Sequence, residues 1–303
     1  MIIITGITGF VGYNLSCYLN KKKKKTLGVS RNPSPKEVHY KEVNKTLLNN
    51  TTCFIHLAGK AHDIKNTSNE KEYFEVNTEL TKHLFDIFLK SNCETFIYMS
   101  SVKAVADIVE GTLVENFEPI PETAYGRSKL AAENYILSKN ISKNKRVYIL
   151  RPCMIHGPNN KGNLNLLYSF VSKGVPYPFG KYKNKRSFVS VENLCFIINE
   201  LIDNNEIDSG VYHIADNGSL STNALVQLIG KSIGKTSRIL KIPKKIVKFI
   251  ALIGDLLSLP INTERLNKLT ENYVVSNAKI KKAIKKELPL SIKEGIIKTI
   301  TSF

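Results

Sequence analysis

The sequence is short of several things, and each shortage removes a class of function. It has no apolar run near the roughly 18 residues that would signal a transmembrane helix. Its opening, Met1-Ile-Ile-Ile-Thr-Gly6, has no basic leader and no small-residue cleavage site, so it reads as a buried strand rather than a signal peptide. Cysteines are few, odd in number and far apart: Cys17, Cys53, Cys93, Cys153 and Cys195, with no Cys-x-x-Cys spacing. That argues against a disulfide framework and predicts reduced thiols in a cytoplasmic protein. The histidines, His39, His56, His62, His83, His156 and His213, are dispersed, and no metal-ligand cluster is expected. Internal repeats and low-complexity linkers are missing too.

Acid is also scarce. Against 44 Lys and Arg stand 26 Asp and Glu, a formal net charge of +18. Such an excess suits nucleic acid, an anionic membrane or an anionic substrate. Much of it is lysine in patches, at Lys21–Lys25, Lys244-Lys245, Lys281-Lys282 and Lys285-Lys286, in a chain rich in Lys, Asn and Ile throughout. No basic stretch is interleaved with aromatics, so nucleic acid is not expected as a partner.

What is present begins at the first residues. The chain has 303 residues and is 42 % hydrophobic, enough for two domains or one large α/β domain with an appendage. Residues 2–5 form a β-branched apolar run, followed by Gly6-Ile-Thr-Gly9-Phe10-Val11-Gly12 and a helical pattern to about Asn20. Strand, glycine-rich turn and helix in that order make a dinucleotide site. Gly6 permits the tight turn, Gly9 lets backbone amides approach a pyrophosphate, and Gly12 lets helix and strand pack closely. The helix N-terminus then presents N–H groups and partial positive charge to the anion.

The second signal is Thr123-Ala-Tyr125-Gly-Arg-Ser-Lys129, leading into a helix-favouring run. Residues four apart share a helix face. An ammonium beside a phenol favours the phenolate, so Lys129 is expected to lower the Tyr125 pKa and fit it for proton transfer with a carbonyl or alcohol oxygen.

Together these motifs resemble the extended short-chain dehydrogenase/reductase family, through nearly the whole chain, and its nucleotide-sugar 4-epimerase/4-reductase branch in particular. The resemblance implies an α/β fold: a doubly wound parallel sheet over residues 1–155, with segments returning from about 185–215, and a smaller mixed α/β substrate region over 156–303. It implies a catalytic set of Ser101, at the end of strand 95–101, with Tyr125 and Lys129. Dehydratases of the family carry an Asp-Glu pair just after that serine; here Val102 and Lys103 follow, which argues against elimination.

For the cofactor, the resemblance adds Gly6, Gly9, Phe10, Val11, Gly12, Leu57, Ala58, Gly59 and Pro152 to Tyr125 and Lys129, and gives Asn77 a supporting place. NAD-specific members end the second strand with an acid. This chain has Ser30-Arg31-Asn32, and Arg31 suits a 2′-phosphate, so NADP(H) is favoured with NAD(H) possible. His56 reads as a packed strand residue. Substrate contacts implied are Lys103, Asn163, Leu164, Phe179 on a strand, Arg186 on the substrate diphosphate, and Arg265.

The implied activity is oxidoreduction at C4 of a UDP-sugar. Reduction of a UDP-4-keto-6-deoxy-N-acetylhexosamine, as in the UDP-N-acetylquinovosamine dehydrogenase branch, is favoured over 4-epimerisation; a non-catalytic NADP-binding regulator is a third possibility. A homodimer through the Tyr/Lys helix is expected. The basic, apolar stretch Pro243–Leu259 is expected to pack on the substrate region, and peripheral membrane contact is an alternative.

Overall fold

The computed structural model describes residues 1–61, 69–160, 163–257 and 262–303. Strands are β1 (Ile2–Thr5), β2 (Thr26–Ser30), β3 (Glu37–His39), β4 (Cys53–His56), β5 (Thr95–Met99), β6 (Thr112–Leu113), β7 (Arg146–Pro152), β8 (Met154–His156), β9 (Phe188–Ser190), β10 (Gly210–Ile214) and β11 (Val274–Val275). The helices are α1 (Phe10–Lys21), α2 (Lys45–Asn49), α3 (Glu70–Phe74), α4 (Leu80–Leu89), α5 (Ala124–Leu137), α6 (Asn163–Ser172), α7 (Val191–Asp203), α8 (Thr222–Ser232), α9 (Lys244–Leu256), α10 (Thr263–Thr270), α11 (Ala278–Ile284) and α12 (Ile292–Ile300).

Seven strands form one sheet in the order β10-β7-β5-β4-β1-β2-β3, every pair parallel. A strand covered on both faces reads as a continuous apolar run, and all four residues of Ile2–Thr5 and all five of Thr95–Met99 are buried. Alternation sorts their side chains to two cores. Ile2 and Ile4 join Leu15, Leu19, Ile55 and Ile97 under α1 and α7. Ile3 joins Phe54, Phe85, Phe88 and Phe96 under α4 and α5.

The chain reverses direction across the sheet between β1 and β4. That is where an open α/β sheet forms a ligand crevice at its carboxyl ends. β10 closes the far edge against β7, Ile214 opposite Pro152. The core under α1 takes in Val189–Ala215 and also Tyr273, Val275, Ile280 and Ile284. So residues 273–284 pack with the sheet half, beyond the segments 185–215 that the sequence returns to it.

A separate cluster joins α6, α8, α9, α10 and α12 through Leu164, Leu225, Val247, Leu266 and Ile296. Ser221 caps α8, accepting from the Ala224 N–H at 3.0 Å.

One local expectation changes: Phe179 lies on no strand but makes an isolated bridge to Lys241. The stretch 110–123 contains β6, which pairs in parallel with β11. α3 starts at Glu70 and passes through a π-helical turn, Glu75–Glu79, before α4. Among the described residues, no helix is long and apolar enough to cross a membrane, and no group of His, Cys, Asp and Glu could hold a metal ion.

Candidate active site

The glycine turn and the exit of β4 meet at the crevice. Gly6 has φ of +68°, and a Cβ there would lie 2.8 Å from the Ala58 amide nitrogen. A Cβ on Gly12 would lie 2.2 Å from the Gly6 carbonyl oxygen, so any side chain would push α1 off the turn. Thr5 ties the two loops: its carbonyl accepts from the Leu57 N–H at 3.3 Å and its hydroxyl from the Ala58 N–H at 3.2 Å. Gly9 caps α1 without a side chain, and the first turn carries no acid. The amides of Phe10, Val11 and Gly12 therefore face the crevice uncapped, which fits a pyrophosphate. His56, at the end of β4, is a packed residue. It is bonded to Thr5 at 2.7 Å and Thr81 at 2.9 Å, stacked on Tyr98, and pushed down to about 3 by burial and then by the Lys129 charge.

Arg31 follows β2 and is exposed; its charge reaches the Tyr40 hydroxyl, which accepts from the Gly6 N–H at 3.2 Å. Beside it is an acid not singled out in the sequence. β3 runs parallel to β2 and brings Glu37 next to Ser30, whose hydroxyl donates to the carboxylate at 2.8 Å; the Ser34 N–H adds a second bond at 3.3 Å. These bonds, Ser30 first, hold the Glu37 pKa below the usual range. The end of β2 thus presents both a cation and a carboxylate.

The strand expected over 95–101 stops at Met99, and Ser101, two residues beyond β5, caps a short 3-10 turn, Val102–Ala104, by accepting from the Lys103 N–H at 3.2 Å. Thr123 caps α5, and the Gly126 position lets the helix approach that turn: a Cβ there would lie 2.3 Å from the Lys103 carbonyl oxygen. This brings Tyr125 within hydrogen-bond reach of Ser101, with Lys129 one turn further on.

The electrostatics differ from the expected phenolate. Lys129 donates to the Met99 carbonyl at 2.8 Å and lies over the Tyr98 ring, 4.9 Å from its centroid. Burial raises the Tyr125 pKa; the Ser101 hydrogen bond works against the rise, while Tyr73 and Glu133 add to it. Lys129 is pushed down to about 8 by burial, with Glu133 opposing. Loss of water disfavours phenolate and ammonium alike, so Tyr125 rests as a neutral phenol.

Behind α5 lies a second group that the sequence did not reveal. Glu133, fully buried, accepts twice from Arg151 Nε at 3.0 Å and again from Nη2, and also accepts from Ser100, the neighbour of Ser101. Asn77, in the π-helical turn, donates to Ser128 at 2.9 Å and to the Lys60 carbonyl at 3.1 Å, and accepts from the Lys60 N–H at 2.8 Å. It ties the exit of β4 to α5. π-turns recur at such sites because the extra residue re-aims a side chain. A Cβ on Gly59 would lie 2.9 Å from Lys129 Nζ and 3.0 Å from Asn77 Oδ1, so these three elements converge on one point.

On the substrate side, Lys103 donates to the Asp107 carbonyl at 2.8 Å and covers the Tyr273 ring, 4.6 Å away. Burial lowers its pKa, Asp107 opposes, and Arg186 is close enough to lower it further. Arg186 is half-buried, bonded to the Lys268 carbonyl, and bridged through its backbone to Leu220 and Tyr273. The two cations are therefore close enough to feel each other's charge. Leu164 and Phe179 are core residues, Phe179 packed edge-on to Tyr177 and Tyr182. The side chains of Asn163 and Arg265, though on α6 and α10, lie outside the described residues, as do Gly162 and His62.

The model of the NAD dependent epimerase/dehydratase family matches residues 2–215. A Vibrio cholerae UDP-glucose 4-epimerase is 31 % identical over 320 residues, covering 100 % of this chain and 95 % of the relative. Among solved structures, a UDP-glucuronic acid 4-epimerase from Bacillus cereus in complex with NAD superposes with a TM-score of 0.74 at 18 % identity, over 99 % of this chain and 97 % of that one. Human epimerase family protein SDR39U1 with NADPH superposes at 0.77 and 18 %, over 99 % and 98 %. At such identities these structures speak to the fold alone.

Proposed function

Because the chain belongs to the NAD dependent epimerase/dehydratase family, we propose that it is a nicotinamide-dependent oxidoreductase acting at C4 of a UDP-linked sugar in the cytoplasm, and that its net reaction is reduction of a 4-keto sugar. A reduced nicotinamide bound along the glycine turn would supply hydride. Tyr125 gives its phenolic proton to the C4 oxygen, and the Ser101 hydroxyl hydrogen-bonds the same oxygen. Lys129, still cationic below about 8, stabilises the phenolate left behind. Lys103 and Arg186 hold the UDP diphosphate. Val102 and Lys103 offer no carboxylate for water loss.

The observation that carries the reductive reading is Arg31, exposed just after β2, since a 2′-phosphate held there favours the NADPH pool that a reductase consumes. The burial that raises the Tyr125 pKa keeps the phenol a proton donor, as ketone reduction needs. Glu37 moderates this, its carboxylate lying where that phosphate would be repelled. A second reading, 4-epimerisation with retained NAD, is favoured by the named activity of the Vibrio cholerae relative that spans this chain.

The test is to incubate the protein with UDP-4-keto-6-deoxy-N-acetylglucosamine, UDP-N-acetylglucosamine and UDP-glucose, each with NADPH or NADH, and identify products. Stoichiometric consumption of reduced nicotinamide with the keto sugar is expected. Interconversion of the two 4-epimers without added cofactor would instead establish the epimerase. Arg31→Ala should shift kcat/KM towards NADH and Glu37→Gln towards NADPH. A ratio unmoved by both would remove these residues from cofactor choice.

A further inference from the structure

One helix of the substrate half is built inside out. α9 turns Val247, Ala251 and Gly254, spaced i, i+4, i+7, onto the protein. These are its smaller apolar residues. Its large ones point away: Phe249 is 63 % exposed, Leu252 61 % and Leu256 84 %, with Ile246, Ile250 and Ile253 beside them. No other helix among the described residues exposes more than one large apolar side chain. A patch of this extent on a helix marks an interaction surface.

The charges on α9 identify what the surface meets. At 100° per residue the outward apolar side chains fill one broad arc. Lys244 and Lys248 are exposed along its flank, Lys244 lying over the Tyr182 ring at 5.2 Å from its centroid, and Lys245 is exposed within the arc at its N-terminal end; the one acid of the helix, Asp255, is engaged by the Thr263 N–H at 3.0 Å and by its hydroxyl. An apolar face edged by lysines on a helix lying along the protein surface is the pattern of interfacial lipid binding. A second copy would set these lysines against one another, in a chain whose net charge is already +18. Anionic headgroups neutralise them instead. We propose that α9 seats the protein on an anionic lipid bilayer, with Phe249, Leu252 and Leu256 among the acyl chains and Lys244, Lys245 and Lys248 at the phosphates.

α9 packs on α10, whose Lys268 carbonyl holds Arg186. The seat therefore adjoins the substrate half while leaving the crevice residues untouched, and it stands whether or not the proposed reaction does.

Flotation of the full chain with phosphatidylcholine vesicles, with and without about 30 % phosphatidylglycerol, tests the proposal. The parent is expected to float with the anionic vesicles and to be released by high salt. Leu252→Ser with Leu256→Ser should cut the partition coefficient about tenfold or more, and Lys→Ala at 244, 245 and 248 about fivefold per lysine at low salt. Melting temperature and nucleotide binding in calorimetry should match the parent for the leucine pair and for Lys→Ala at 245 and 248, whose side chains face outward, while Lys244 also covers the Tyr182 ring. Phe249→Ser serves as the apolar variant should the leucine pair melt early, and salt release tests the charged flank with no substitution at all. The proposal is overturned if the parent does not bind anionic vesicles, or if binding ignores the apolar substitutions. It is equally overturned if the leucine substitutions halve the sedimenting mass of a parent that does not bind vesicles, which would make a second copy the occupant.

Discussion

α5 and α9 are nearly the same length, 14 and 13 residues, and they break the ordinary partition of side chains in opposite directions. α5 carries Lys129 and Glu133 into the interior; α9 carries Phe249, Leu252 and Leu256 out of it. Charged residues are almost never fully buried unless paired, and on α5 each has its partners within the chain: Met99 for Lys129, and Arg151 with Ser100 for Glu133. The outward hydrocarbon of α9 has none among the described residues. An inversion resolved by internal partners marks chemistry; one left unresolved marks a surface that meets something else.

Substitution at matched positions sharpens this contrast. The largest effect is expected at Tyr125. Tyr125→Phe should fold and bind nucleotide normally yet lose about 10²–10⁴-fold in kcat, whereas Leu252→Ser should turn over soluble substrate as the parent does. Turnover of Tyr125→Phe within tenfold of the parent, about 1.4 kcal/mol of barrier, would deny the proton-donor role.

Stability comes next. Glu133→Ala strands the Arg151 guanidinium in the core, and breaking a buried pair this way costs about 3–5 kcal/mol. Leu256→Ser should stay within about 0.5 kcal/mol. Urea unfolding measures both, and equal losses would erase the distinction between the two helices.

The pH dependence of α5 gives a subtler test. Lys129 has its folded pKa lowered to about 8 from an ordinary 10.5. Between those values the unfolded chain keeps a proton that the folded chain has released, so stability should rise with pH across that window. Turnover should fall across the same window, as the ammonium that steadies the Tyr125 phenolate is lost. Parallel pH profiles for the two quantities would count against Lys129 in this role.

The smallest loss expected at a site residue is at Arg186. Arg186→Ala should weaken UDP-sugar binding by about 1.5–3 kcal/mol and leave nicotinamide binding within error in calorimetry. Loss of both ligands together would point to damage in the fold.

Much of this was legible in the sequence because it is local. The glycine turn and the Tyr125/Lys129 spacing each involve residues a few positions apart. What escaped notice is what the sheet brings together. Glu133 follows Lys129 by four residues and reads as a solvated helix face; only the return of β7 puts Arg151 over it. Glu37 arrives beside Ser30 because β3 runs parallel to β2, so the acid missing from the end of one strand is found on the next. Burial reversed the expected direction of the Tyr125 pKa, since spacing gives proximity of charge but not the loss of water around it. Phe179 and Leu164 sit in segments resembling substrate-binding ones, yet their side chains went to the core, as large apolar residues ordinarily do.

The packing of residues 273–284 against the sheet has a consequence for how the protein is made. Tyr273, Val275, Ile280 and Ile284 complete the core shared by α1 and α7, and Val274-Val275 supplies the partner strand for Thr112-Leu113. Domains generally fold as units, N-terminal first, as they leave the ribosome. Here the core of the sheet half is not complete until residues 273–284 have emerged, long after the glycine turn was synthesised. Until then its nascent sheet waits with an open apolar flank, a state that chaperones would be expected to guard.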